Sequence, residues 1–229
     1  MKSEFDQYAE KYEEHLARAT GIPGQGADFF AKVKALRIRD IITSLTIAGK
    51  KLRVLDVGCG VGMTLRNLDS AAAELNGVDV SKASVERAKA ENPAIQLFHY
   101  EGEKLPFADG SFDFVYTVNV LHHVPVDQRQ AFIGEMLRVT RSNGHVAIFE
   151  HNPINPLTRK SVRDCPFDEG VTLLSRNEVR DRLNRLGAAP VRSDFILFLP
   201  FGAAWVYAFE KAIKWCPLGA QYFVLAKKS

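Results

Sequence analysis

The sequence predicts a doubly wound α/β fold with a seven-stranded, mostly parallel sheet and a helical cap at the N-terminal end. Three observations carry this expectation. From Lys51 onward, short β-branched apolar runs alternate with helical stretches, which is the pattern of a parallel sheet with crossover helices. Seven such runs follow one another: LRVLDV, ELNGVDV, IQLFHY, FDFVYTVNV, HVAIFEH, VRSDFILFLPF and AQYFVLAKK. Before Lys51 the apolar residues recur instead at helical spacing, as in Phe29, Val33, Leu36, Ile41 and Leu45.

Taken in order, residues 3 to about 48 read as two cap helices around a break at Gly21-Ile22-Pro23-Gly24-Gln25-Gly26. The first strand is followed by an expected helix to about Ala73, and the second by a helix from Ser81 to Glu91. A third helix is expected from about Asp127 to Arg141. Beyond Asn152, Pro153, Pro156 and Pro166 mark a loop. The next helix opens on Ser175-Arg176-Asn177-Glu178, the spacing of a capping box, and stops at Gly187. An apolar strand, the aromatic helix AAWVYAFEKAIKW and a last strand complete the chain. With 229 residues and 46% hydrophobic content, one sizeable core suffices, and 1–229 reads as a single domain. It divides into a cap (1–48), a ligand-binding core (50–151) and a C-terminal part (152–229).

Bulk properties exclude several classes. Thirty basic against 27 acidic residues leave a net charge of +3, too little for a phosphate-backbone stripe, so nucleic acid is not the expected partner. Cys59, Cys165 and Cys216 are widely spaced and form no CxxC, so neither a disulfide framework nor a zinc motif is expected, and a reducing, cytoplasmic setting fits. No metal-ligating constellation is visible. The stretch MKSEFDQYAEKYEEHL lacks the apolar core of a secretory signal, and no segment has the apolar length of a membrane span. Nothing in the sequence sets an oligomeric state.

Chemistry concentrates in Val54-Leu55-Asp56-Val57-Gly58-Cys59-Gly60-Val61-Gly62. Glycines at the end of a buried strand let backbone approach a ligand closely. Asp79 ends the next strand 21 residues after Gly58, a spacing at which a carboxylate accepts from ribose hydroxyls. A dinucleotide fingerprint would need glycine at residue 63, which is Met63, and Asp56 would set a carboxylate beside a pyrophosphate. These residues favour a nucleoside carrying cations and no bridging phosphates.

LDVGCGVG, GVDVS, GEKLPFADGSFDFVYTVNVLHHV and the strand after RSNGHVAIFE resemble the successive motifs of class I S-adenosylmethionine-dependent methyltransferases, over roughly residues 50 to 150. The resemblance implies a Rossmann-like fold, S-adenosylmethionine as cofactor and a small, apolar or aromatic methyl acceptor, with 152–229 on the acceptor side. By motif position, Gly58 and Gly60, with Asp56 and Cys59 in the same turn, would hold the methionine part, and Asp79 with Val80 the ribose. Gly102 and Glu103 would lie near the adenine amino group; Glu103 stands where the family more often has Asp. Asn119 and His123 would lie beneath the methionine moiety, and Tyr12 on the cap would close the site.

His122, His123 and His151 are the candidate general bases, should the acceptor need to lose a proton. The plain reading is a histidine that caps the turn or packs under the ligand. Cys59 reads as a small buried filler with no chemistry. The aromatic run Phe195 to Trp215 reads mostly as packing against the sheet, with an apolar acceptor pocket or a lipid-facing surface rimmed by Lys211 and Lys214 as the functional alternative. Two other functions share this fold: a non-catalytic S-adenosylmethionine-binding module and a nicotinamide-dependent oxidoreductase.

Overall fold

A computed structural model describes residues 27–47, 50–199 and 204–229, excepting the side chains of 27, 167 and 204. The first cap helix and Tyr12 therefore lie outside the described residues. The second cap helix is α1 (Ala27–Leu45). There follow β1 (Leu52–Val57), β2 (Ala73–Asp79), α2 (Lys82–Glu91), β3 (Gln96–His99), β4 (Phe112–Val118), α3 (Arg129–Val139) and β5 (Thr140–His151). The C-terminal part holds α4 (Pro156–Arg163), α5 (Arg176–Arg185), β6 (Ala188–Ile196), α6 (Ala204–Ala212) and β7 (Gln221–Lys228).

All seven strands join one sheet in the order β3-β2-β1-β4-β5-β7-β6. Only β7 runs against its neighbours, pairing antiparallel with both β5 and β6. Parallel strands covered on both faces read as continuous apolar runs, and β4 is buried at every position from Phe112 to Thr117. Its alternate side chains serve two layers. Phe114 packs with Val54, Phe149 and Phe223 beneath Ile38, Ile41 and Ile42 of α1. Val115 packs with Leu55, Val146 and Ile148 beneath α3 (Ile133, Met136) and α5 (Val179, Leu183). Each such side chain contributes about 1.5–3 kcal/mol on burial. The buried ion pair Arg37–Glu210 (2.7 Å) ties α1 to α6. Among the described residues, no helix is long and apolar enough to cross a membrane.

Two expectations are corrected. The helix expected up to Ala73 is absent: that stretch is turns and one 3₁₀ turn, Leu65–Asn67. Short polar side chains there bind nearby backbone and compete with helical bonding, since Asn67 Nδ2 donates to Met63 O (2.8 Å) and Ala71 N to Asp69 Oδ1 (2.7 Å). Conversely, the expected loop after Asn152 contains α4. Asn155 caps it, accepting from Leu157 N and Thr158 N, and Pro156 occupies its first turn; proline there is a start signal rather than a breaker. The capping serine of α5 behaves as expected, with Ser175 Oγ accepting from Glu178 N (3.1 Å).

Candidate functional site

In an open parallel sheet, ligands bind beyond the carboxyl ends of the strands where the strand order reverses. Here that point lies between β1 and β4. A cavity of ≈ 330 Å³ opens there. Its walls include Gly58, Gly60, Asp79, Val80, Gly102, Asn119, His122, His123 and His151, all anticipated from sequence.

The glycine turn has a steric cause. Gly58 adopts φ +79°, and a Cβ there would stand 2.4 Å from Val120 Cγ2, so only glycine lets the turn sit against the segment after β4. The amides of Gly58 and Cys59 both donate to Val78 O (2.8 and 3.1 Å). That brings the next residue, Asp79, under the turn. Its carboxylate accepts from Gly60 N (2.7 Å) and Ser81 N (2.8 Å), and burial raises its pKa despite these bonds. Asn119 also lines the cavity, in the left-handed region (φ 55°), its backbone amide donating to Phe149 O. Its side-chain oxygen is buried with no hydrogen-bond partner among the described residues. A held, unpartnered acceptor beside a glycine cradle is what a nucleoside-bearing amino acid would use, so the residues present fit S-adenosylmethionine.

Three predicted residues are placed elsewhere. Asp56 and Cys59 are buried beneath the turn and do not line the cavity. Burial raises the Asp56 pKa to about 8, with Lys34 and the Tyr116 hydroxyl opposing. Lys34, buried on α1, is pushed down to about 8 by the same desolvation, against the pull of Asp56 and Glu150. Burial likewise drives the Cys59 thiol up, in keeping with its reading as a filler. Glu103 is exposed, outside the cavity wall that its neighbour Gly102 joins.

In the same cavity wall the fold assembles a polar cluster. His122 Nδ1 meets Glu150 Oε2 at 2.6 Å, and Glu150 Oε1 accepts from Leu121 N (2.8 Å). Asp168 Oδ1 lies 3.4 Å from both His122 Nε2 and His123 Nε2. The His151 ring is 5.1 Å from that of His122. Arg129, fully buried at the start of α3, donates to Val124 O, His122 O and Thr172 O, and so fastens the histidine turn to the loop carrying Asp168. Burial opposes charge on His122, but Glu150 and Asp168 outweigh it and raise its pKa to about 9. Burial and then the His122 charge lower His123 to about 4 and His151 to about 3. One imidazolium therefore stands between two neutral imidazoles.

Sequence reasoning missed Asp168 and Arg129, and it saw no metal-ligating group. The fold brings His122, His123 and Asp168 together, with donor atoms within 4.8 Å of one another. Asp168 carries no local signal, since only the path of the chain through α4 returns it to the cavity. Arg129, a charged residue at a helix start, is equally ordinary in sequence.

The sheet order and the glycine turn over an acid at the end of β2 define the fold of class I S-adenosylmethionine-dependent methyltransferases. Residues 55–148 match the family model described as a methyltransferase domain. An uncharacterized methyltransferase of Synechocystis sp. is 35% identical over 104 residues, covering 45% of this chain and 49% of that one. Squalene methyltransferase 1 of Botryococcus braunii is 27% identical over 179 residues, covering 72% of this chain and 47% of its own length. The chain thus spans about half the length of these curated relatives. A solved structure from Thermotoga maritima, described as an S-adenosylmethionine-dependent methyltransferase and possible histamine N-methyltransferase, superposes with TM-score 0.69 over 98% of both chains. Its 17% identity makes this a likeness of fold.

Proposed function

We propose that the protein binds S-adenosylmethionine in the cavity between β1 and β4 and transfers its methyl group to a small acceptor with an apolar part. The observation that carries this reading is the continuity of one cavity from the Gly58–Gly60 turn and Asp79 to His122, His123 and His151. Asp79 would accept from the ribose hydroxyls, the backbone at Gly58 and Gly60 would lie against the methionine part, and Asn119 would meet its polar end. Val80 and Gly102 would flank the base, with Glu103 and Tyr12 entering from the rim and cap.

When bound, S-adenosylmethionine supplies a methyl carbon already activated by its sulfonium. The protein's part is to orient the acceptor and exclude water. Val118, Val120, Val124, Pro125 and Phe132 give the cavity an apolar wall, which suits an acceptor with a hydrocarbon or aromatic body. The Botryococcus braunii relative, named for squalene, is in keeping with that. His123 and His151 present uncharged imidazoles that would hold an acceptor hydroxyl by hydrogen bonding.

The test is turnover with methyl-labelled S-adenosylmethionine and a panel of phenols, hydroxylated isoprenoids and amines. The expected result is release of S-adenosylhomocysteine in one-to-one yield with a methylated acceptor. Tighter binding of NAD than of S-adenosylmethionine would sink the reading.

A further inference from the structure

We propose that His122, His123 and Asp168 form a binding site for one divalent transition-metal ion of the zinc or iron(II) class at the acceptor end of the cavity. The donor set is two imidazole nitrogens and one carboxylate oxygen, all lining the same cavity. Imidazole nitrogen selects such ions over magnesium and calcium, which prefer all-oxygen shells. Both Nε2-to-Oδ1 separations are 3.4 Å, and metal bonds of about 2.1 Å in tetrahedral arrangement place ligand atoms about 3.4 Å apart.

Two further features are those of a built site. His122 Nδ1 is bound by the buried Glu150 carboxylate at 2.6 Å, and Glu150 is itself fixed by Leu121 N. This carboxylate–imidazole pair orients Nε2 into the cavity, as outer-shell partners of metal-bound histidines do. The charge balance also fits. Among the described residues, neither Glu150 nor Asp168 has a lysine or arginine ion-pair partner, so a divalent ion would offset the buried Glu150 carboxylate and the partly exposed Asp168 carboxylate with both histidines neutral.

Three protein ligands leave coordination positions open toward the cavity, as in catalytic rather than structural sites. A hydroxyl or carboxylate oxygen of the acceptor would fill one of them. That role rests on the methyl-transfer reading; the binding of the ion does not.

The test uses the full chain, stripped with a chelator and dialysed, then titrated with zinc by calorimetry and with cobalt(II) by visible absorption, without cofactor or acceptor. One ion per chain is expected, with a cobalt spectrum of mixed nitrogen and oxygen ligation and no uptake of magnesium. His123→Gln and Asp168→Asn, whose side chains are partly exposed, should abolish one-to-one binding. Glu150→Gln should weaken it about 10–100-fold. Circular dichroism and retained S-adenosylmethionine binding confirm that Asp168→Asn is folded. Absence of stoichiometric uptake, or uptake unchanged in His123→Gln and Asp168→Asn, overturns the proposal. A chain that takes up the ion but not S-adenosylmethionine would instead overturn the methyl-transfer reading and leave the ion site standing.

Discussion

Asp79→Asn tests the cofactor wall directly, because the two states differ by one charge and almost no volume. In the native chain the carboxylate is 8% exposed and accepts from both Gly60 N and Ser81 N. Asparagine offers one carbonyl oxygen, so its amide nitrogen must face the second backbone donor. Leaving one buried N–H unpaired costs about 1–3 kcal/mol. Because burial raises the native carboxyl's pKa, the neutral side chain recovers part of that, and we expect a net loss of about 1–2 kcal/mol in a denaturant titration. The effect on ligand is larger. A charge-assisted hydrogen bond to a ribose hydroxyl is worth about 1.5–3 kcal/mol, so calorimetry should show S-adenosylmethionine binding about 10–100-fold more weakly. NAD serves as the control ligand and should bind neither form measurably. Hydroxyl donors favour the ionised carboxylate, so native affinity should fall as pH is lowered through the carboxyl's titration, while the variant's stays flat. Binding by Asp79→Asn within twofold of the native chain would refute the assignment of Asp79 to the ribose.

Two stability predictions accompany it. Gly58→Ala combines a left-handed backbone (φ +79°) with a Cβ 2.4 Å from Val120 Cγ2 and should cost about 2–5 kcal/mol. Gly60→Ala (φ +52°, nothing within 4 Å of its Cβ) should cost only about 1–2 kcal/mol. Adding Val120→Ala should restore part of the first loss and none of the second; equal costs in urea titrations would show that the close approach does not matter. Asp56, with its pKa raised from 3.8 to about 8, binds its proton more tightly folded than unfolded. Its stabilising contribution is therefore complete below about pH 4 and lost as pH rises to about 8. Against Asp56→Asn, the native chain should lose denaturation midpoint steadily between pH 5 and pH 8, and a constant difference across that range would disprove the buried, protonated state.

Much of the fold was legible because local chemistry and tertiary role coincide. The runs LRVLDV and FDFVYTVNV mark strands buried on both faces, and glycines with Asp79 mark the turn, since a close backbone approach tolerates no Cβ and a strand end fixes where the next acid points. The failures lie where a short-range signal had two meanings. Pro156 reads as a breaker or a first-turn residue, and only Asn155 at the cap decides; Asn67 and Asp69 bind nearby backbone where the helix expected to about Ala73 does not form.

What the sequence by itself determined is the sheet, the helices α2, α3 and α5 and the glycine turn over Asp79 in the cavity wall, because each rests on residues close together in the chain. The tertiary structure alone decided the other end. His122 and His123 are adjacent, but their partners Glu150 and Asp168 come from the end of β5 and from the loop beyond α4, held in reach by Arg129. The structure alone also set Asp56 beneath the turn rather than in the wall. Burial and charge of this kind are properties of what surrounds a side chain in space, and no spacing along the chain encodes them.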